Sequence, residues 1–490
     1  MISARILSPF PQVLLVITLL AAGSVHVEAG ETTPVATMTL RDCIQLAVRQ
    51  NPRAKAALAA IEEAIGLTTA AKSGFIPKLS ATAYYQYREN DFGDAVDFNS
   101  LQQQITFVEQ LAFALANPGT EIPAPVGRDA NIRREDYNVT LRLSQNLYSG
   151  GRVRALVAIA KLREMEQFYN YQAILNEVIL DTRLAFYEVL RSRANVAIQE
   201  EALARQKAEV TTQESQFEAG TVGELNVLRA EVTLASVNPP LVEARSNHEI
   251  ALLTLAQAMG MAPDPQTGEV PIKVVGSLQV IAPSLDLPNA LGKATAVRPE
   301  LQAKRKSIEQ LERQITVERS EILPSVDLFA TYEFYSELNK NLPNANVSTY
   351  TAGVTASWQI FDGFETTGNL KAVRAQIESA GHELQQIMLQ VQSEVRSAYI
   401  AYRGSLDVYL TAQKTAGLAR KVLSNAEKSY DAGLTSQIEI LEAQRNVTAT
   451  ESQVLSAKFQ LNRAIANLDA AIGNDVAIQT LPSEQVELAQ

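Results

Sequence analysis

Four short stretches of the chain alternate apolar and polar residues with a period of two. Leu79, Ala81, Ala83, Tyr85 and Tyr87 alternate with Ser80, Thr82, Tyr84 and Gln86, and Tyr137, Val139, Leu141 and Leu143 with Asn138, Thr140, Arg142 and Ser144. Further on, Val326, Leu328, Ala330, Tyr332 and Phe334 share one face of a stretch, as do Tyr350, Ala352, Val354, Ala356, Trp358 and Ile360. Successive side chains of a strand point to opposite faces, so the pattern predicts strands over about 77–88, 137–148, 324–335 and 350–361, each with one greasy face. A half-buried soluble sheet and a membrane barrel both give this period. The aromatics near the strand ends add the girdle feature of a barrel.

A different period follows each second strand. From Arg152 to Ala219 there is neither Gly nor Pro, which predicts one helix over 152–219, on the order of 100 Å long at 1.5 Å per residue. Tyr171, Leu175, Val178, Thr182, Ala185 and Val189 recur in steps of four and three. Leu384, Met388, Val391, Val395, Ala398 and Tyr402 do the same in a second predicted long helix, 364–431. Such a seam is a coiled-coil signature. Gly368, Gly381, Gly404 and Gly417 lie in the second helix, where each costs up to about 1 kcal/mol against Ala, so neighbouring helices are expected to hold it.

The two halves are copies. Gly150 and Gly363, Gly220 and Gly433, and Gly260 and Gly473 keep one offset of 213 residues, while Pro52 and Pro299, and Pro77 and Pro324, keep one of 247. The first copy therefore carries 34 extra residues, assigned to its hairpin loop between about 90 and 136. A repeat this long means two copies of one structural unit. Each reads helix, strand, hairpin loop, strand, very long helix, turn, shorter helix. Leu147-Tyr148-Ser149-Gly150-Gly151 and Ile360-Phe361-Asp362-Gly363-Phe364 join strand to helix, with Gly150, Gly151 and Gly363 supplying the backbone freedom. Pro77 and Pro324 open strands where no ladder donor is needed. The expected layout is a first repeat over 30–260, a proline-rich linker over 261–288, a second repeat over 289–473 and a polar tail over 474–490. Pro239 and Pro240 inside the shorter helix of the first copy predict a local bend.

Composition narrows the compartment. Arg5, the apolar run Val13 to Ala22 and the small residues before Gly30 read as a signal peptide over 1–29. No later run is long enough for a spanning helix, so any membrane residence must be as a β-barrel. Cys43 is the only cysteine and the three histidines are scattered, which leaves no disulfide within the chain, no metal cluster and no cofactor site in view. There is no phosphate-cradling glycine loop and no recognisable acid and base pair, so an enzyme is not expected. A formal charge of −11 argues against nucleic acid as partner. Four strands cannot close, because small barrels begin at about eight. A membrane reading therefore needs two or three copies of the chain.

With the tandem repeat, the proline strand starts, the two strand-to-helix junctions and the turns Ala219-Gly220 and Ala432-Gly433, each followed by Leu225-Asn226-Val227-Leu228 or Ile438-Glu439-Ile440-Leu441, the chain resembles the TolC-type outer-membrane efflux proteins. The resemblance covers almost the whole mature sequence. It implies a mainly α protein with a transmembrane β-barrel: a homotrimer with a twelve-stranded barrel in the lipid of a Gram-negative outer membrane, continued by an α-helical periplasmic tunnel. It also implies a periplasmic adaptor and an inner-membrane pump of RND or ABC type as partners, with function in tripartite efflux or type I secretion. Glu439 and Glu442 sit three apart on one helix face, and in the family such acids form rings at the narrow periplasmic end, where rings of one sign select ions. Asn226 and Arg229 are their first-copy matches. Arg229 either supplies a counter-charge to Glu442 or faces solvent. Thr435 stands where some members carry a basic gate residue, so their closed-state lock does not carry over. The tips Gly220, Thr221, Val222 and Gly223, and Gly433, Leu434, Thr435 and Ser436, match the family's adaptor contacts, beside an ordinary capping role. The competing reading is an exported periplasmic coiled-coil scaffold without a pore, which leaves the amphipathic strands unexplained. Whether the cargo is drug, metal or polypeptide stays open.

Overall fold

The computed structural model describes residues 36–90, 108, 110–116, 118, 132–265, 268, 270, 272–281, 286–339 and 345–473. The expected signal peptide, much of the first hairpin loop and the tail lie outside the described residues.

Each copy opens on a helical pair. Strand β1 (Ala36–Met38) leads to α1 (Leu40–Gln50) and α2 (Pro52–Lys72), which feed strand β2 (Lys78–Asn90). Strand β3 (Ile132–Ser149) then passes into α3 (Arg152–Glu218), and a tight tip leads to α4 (Glu224–Met259). Strand β4 (Ile272–Val274) connects the copies, and α5 (Leu287–Val297), the match of α1, opens the second. The second copy repeats the order with α6 (Pro299–Ser320), β5 (Ser325–Asn339), β6 (Ala345–Ser357), α7 (Glu365–Asp431) and α8 (Gln437–Ile472). The long helices α3 and α7 each have 67 residues, and α4 and α8 each have 36.

The strands form one antiparallel sheet in the order β2-β3-β5-β6. Its register brings the greasy positions onto one exposed face: Leu79 faces Leu143, Leu141 faces Tyr332, and Tyr332 faces Tyr350. The Tyr85 and Tyr137 rings meet at a tilt with centroids 4.9 Å apart, and Tyr332 and Tyr350 at 4.8 Å. Several strand bounds differ from the alternation. β6 ends at Ser357, not near 361, so Trp358 and Ile360 leave the ladder. Ser357 pairs with Ser325, the first residue of β5, and Pro324 before it offers no N–H; the Trp358 indole instead donates to the Ile322 carbonyl at 3.1 Å. β3 and β6 also begin earlier than predicted, at Ile132 and Ala345, because backbone pairing continues where the alternation has stopped.

Helix α3 lies at the centre of the helical layer. It packs on α2 and α4, and on α6 and α8, while α7 packs on α6 and α8. Its seam residues Tyr171, Leu175, Val178, Thr182, Ala185 and Val189 are all buried. In α7, Val391, Val395 and Tyr402 are buried, but Leu384, Met388 and Ala398 only half so. Neighbouring helices hold α7 as expected, since it packs on α6 and α8, but the glycines themselves face away from them: a Cβ at Gly368, Gly381, Gly404 or Gly417 would meet nothing within 4 Å. The helix ends the layer and has an open flank. Pro239 and Pro240 do not interrupt α4. Both are exposed, as are Ala235 and Ser236, whose carbonyls lose their helix donors there to water.

The helices stack end to end. The Asn51 amide, which caps α2 by accepting from Arg53 N, donates to the Ala258 carbonyl at the end of α4 at 2.8 Å. In the second copy Arg298 occupies the matching place and reaches Ala471 O at 3.4 Å and Glu394 at 2.7 Å. The linker region is not merely a tether: β1 and β4 pair in parallel, and Ile272, Val274 and Leu278 are buried against Phe186, Val189, Leu190 and Cys43. Arg193 holds the strand by donating to Val274 O at 2.7 Å. Burial pushes the Cys43 thiol up to about 11, which makes it an inert core hydrophobe.

Gly260 and Gly220 share φ +74°, but a Cβ at Gly260 would meet Gln50 O at 2.8 Å and Asn51 Cα at 2.9 Å, whereas at Gly220 it would meet nothing. Gly220→Ala should cost only the left-handed penalty of about 1–2 kcal/mol. Gly260→Ala should lower the thermal midpoint in detergent, followed by circular dichroism, clearly further. Equal midpoints would contradict the close helix junction.

Candidate functional site

The ends of the long helices form two matched tips. After α3, Gly220 N donates to Phe217 O and Thr221 N to Gln216 O, both at 2.9 Å; after α7, Gly433 N donates to Tyr430 O and Leu434 N to Ser429 O, both at 2.8 Å. This double bond pattern with glycine in the left-handed region is the Schellman ending, and it turns each chain back within a few residues into α4 or α8. Apolar side chains stand out of the tips, with Leu434 81 % exposed and Leu225, Leu228 and Ile438 about half exposed.

Glu439 and Glu442 are both exposed on the first turns of α8. The Thr435 hydroxyl donates to the Glu439 carboxylate, so Thr435 orients the acid rather than countering its charge. Arg229 is exposed and forms no ion pair with Glu442 among the described residues, which removes that pairing within one chain. Asn226 acts through its backbone: its carbonyl accepts from the Gln437 amide at 3.3 Å.

Gln437 belongs to a polar ladder between α3 and the second copy that the sequence reading missed. Its amide also reaches Glu209 at 3.3 Å. Gln213, fully buried, donates to Glu209 at 3.0 Å and to the Tyr430 hydroxyl at 3.2 Å, and Tyr430 donates to Gln216 at 3.2 Å. One turn and more back from the tip, Gln206 donates to Gln444 at 2.7 Å and Arg205 to Thr448 at 3.0 Å. The amide oxygens of Gln206, Gln213 and Gln437 are buried without a protein partner. A signal was available: Gln199, Gln206 and Gln213 continue, seven apart, the register of Val178, Ala185 and Ser192, so the seam runs on to the tip with its apolar side chains exchanged for amides.

That exchange changes what separation costs. Parting Val178 and Val189 from their neighbours exposes apolar area at about 25 cal/mol per Å². Parting glutamine and tyrosine trades protein hydrogen bonds for water at a net cost of only about 1 kcal/mol each. Counting the ladder alone, the tip costs less to part than the middle of the layer, although Ala202, Val210, Ile440, Leu441 and Val447 are also buried there.

The Outer membrane efflux protein family matches residues 43–261 and 290–474, both copies of the repeat. Among curated proteins, Protein CyaE of Bordetella pertussis is 24% identical over 353 residues, 71% of this chain and 72% of that one. The alkaline protease secretion protein AprF of Pseudomonas aeruginosa is 21% identical over 68% of this chain and 69% of its own. Among solved structures, the CmeC outer membrane channel of Campylobacter jejuni superposes with a TM-score of 0.69 at 19% identity, covering 92% of this chain and 89% of that one. The open state of the MtrE channel of Neisseria gonorrhoeae superposes at 0.67 and 16% identity, with 91% and 93% covered.

Removing the Tyr430 hydroxyl should loosen the tip alone. In Tyr430→Phe, amide exchange over 209–220 and 426–438 is expected to quicken about fivefold, the equivalent of about 1 kcal/mol, with the 171–189 seam unchanged. Uniform exchange, or none of the acceleration, would contradict a locally weak ladder.

Proposed function

The chain belongs to the outer membrane efflux protein family, and from that premise we propose that it is the exit duct of an efflux or type I secretion assembly, conducting cargo passively across the outer membrane. The observation that carries this reading is one sheet with an exposed apolar face and two free edges, joined in the same chain to helices of 67 residues. The exposed face suits lipid. The unpaired edges forbid a lone protomer there, since each orphaned backbone group in hydrocarbon costs several kcal/mol. Three copies pair β6 of one with β2 of the next and close a barrel of about twelve strands, wide enough for a lumen. The same rotation sets α7 of one protomer, with its open flank and uncovered glycines, beside α2 and α4 of its neighbour and rolls the helical layer into a tunnel.

At the tunnel's far end the three-fold axis gathers Glu439 and Glu442 of each chain into acidic rings, steered by Thr435. The polar ladder from Gln206 to Gln437 lets the α7–α8 tip swing away from α3 while the apolar seam above stays closed, which is what a gate at that end requires. The exposed Leu225, Ile438 and Leu434 give the tips an apolar surface for a periplasmic adaptor, which links the duct to an inner-membrane pump that supplies the energy. The family is one of channel proteins, and the duct needs no catalytic residue.

In a planar lipid bilayer under a salt gradient, purified protein should give discrete steps with cation preference. Glu439→Gln with Glu442→Gln should reduce that preference by severalfold. A silent membrane with insertion verified would favour the pore-free scaffold. In cells, Leu434→Glu with Leu225→Glu should abolish export while leaving bilayer steps unchanged; export at the normal rate would remove the tips from adaptor docking.

A further inference from the structure

The strand alternation that turns Leu79, Leu141, Tyr332 and Tyr350 to one face turns a polar set to the other. Along that second face, Ser80, Arg142, Thr331 and Thr351 lie in one cross-strand row. The adjoining row toward the helices holds Lys78, Ser144, Phe329 and Gly353. The rows on either side each carry one carboxylate. Asp327 accepts from the Asn146 amide at 2.9 Å, and Glu333 accepts from the Asn138 amide. Both acids are thereby held by neutral partners, and among the described residues neither Lys78 nor Arg142 has a carboxylate partner.

Arg142 is placed by a built contact. Its guanidinium carbon lies 6.0 Å from the centroid of the Phe329 ring, a cation–π separation. The Phe329 ring in turn lies over Gly353, where a Cβ would meet Cζ at 3.0 Å, so the glycine on β6 makes room for the aromatic on β5 that carries the cation on β3. An aromatic seated over a strand glycine is a recognised way to pin a register. A guanidinium at this distance from a ring keeps N–H donors available for the paired bonds that suit carboxylate and phosphate.

Resting on the duct reading, in which this face lines the lumen, we propose that Arg142 and Lys78 form a cationic collar near the helical end of the barrel that binds anionic groups of passing cargo, with Ser80, Thr331 and Thr351 as neutral donors beside it. Three-fold symmetry brings the Arg142 side chains of the three chains to one height, and the Lys78 side chains to another. The conduit then presents acidic rings at its periplasmic tip and a basic collar in its barrel, so that carboxylate- or phosphate-bearing molecules meet an attractive station only after passing the gate.

The test is block of single-channel current by inorganic triphosphate added to each chamber in turn. Wild type should be blocked in a voltage-dependent way, and Arg142→Gln and Lys78→Gln, singly and together, should need about tenfold more triphosphate for the same block, with the reversal potential in a salt gradient moving toward greater cation preference. Arg142→Lys, which keeps the charge, should retain most of the block. Steps from wild type that triphosphate leaves untouched, or variants blocked equally well, would overturn the collar and leave the duct standing. A protein that inserts and passes no current, in wild type and also in Tyr430→Phe with its loosened gate, would instead overturn the duct reading on which the collar rests.

Discussion

Everything in this protein follows from a backbone that must not be left unpaired in hydrocarbon. A sheet of four strands with a greasy face and two open edges is unstable there as a single chain. Closing it with further copies removes the edges. It also dictates what happens below, because each strand pair continues into a helix pair and the symmetry that closes the sheet must also close the helices. The open flank of α7 and the glycines that face it are the places on the helical layer that a neighbouring chain would cover.

Within the chain, one unit has been used twice and tuned differently at the same places. The head-to-tail helix junction is capped by Asn51 in one copy and Arg298 in the other, each reaching the carbonyl at the matching helix end. The ion pairs beside it keep their sense but shift their arginine: Arg53 with Asp181 in the first copy, Arg298 with Glu394 in the second, each a cation at the start of the shorter helix and a carboxylate on the long one. The strand-to-helix turn uses Gly150-Gly151 in one copy and Gly363-Phe364 in the other, where Phe364 takes φ 70°. That strain is met by Asp362, which accepts from Phe364 N at 3.0 Å and Thr366 N at 2.8 Å, and the bonds to Thr366 hold its carboxyl below the usual range. Divergence of this kind lets each copy keep the fold while the two contribute unlike surfaces to the interface between chains.

Periodicity made the architecture readable. The alternation of Leu79 to Tyr87 and the four-three seam from Tyr171 to Val189 are physical consequences of lying against lipid and against a helix, so they stand in the sequence. The 213-residue offset of Gly150, Gly220 and Gly260 located the turns for the same reason, since those glycines adopt left-handed backbone. What depended on side-chain detail was harder to read. The ladder of Gln206, Gln213 and Gln437 was hidden because glutamine on a helix usually marks solvent, and only its seven-residue spacing betrays burial. The core role of Ile272 and Val274 was hidden by the prolines around them. Arg229 and Glu442 suggested a pair by alignment, yet within the chain they do not meet, because alignment between copies says nothing of distance across the tip. Where Ile360 leaves the ladder was not visible either, since the alternation continues past the last residue that Pro324 allows to pair.

The number of chains in the detergent-extracted particle tests the central claim most directly, measured as protein mass by light scattering with the detergent contribution subtracted. The account predicts a particle of three chains that needs detergent to stay in solution. A monomer stable in plain aqueous buffer would contradict it, since the free edges of the sheet and its apolar face would then require neither partner nor lipid.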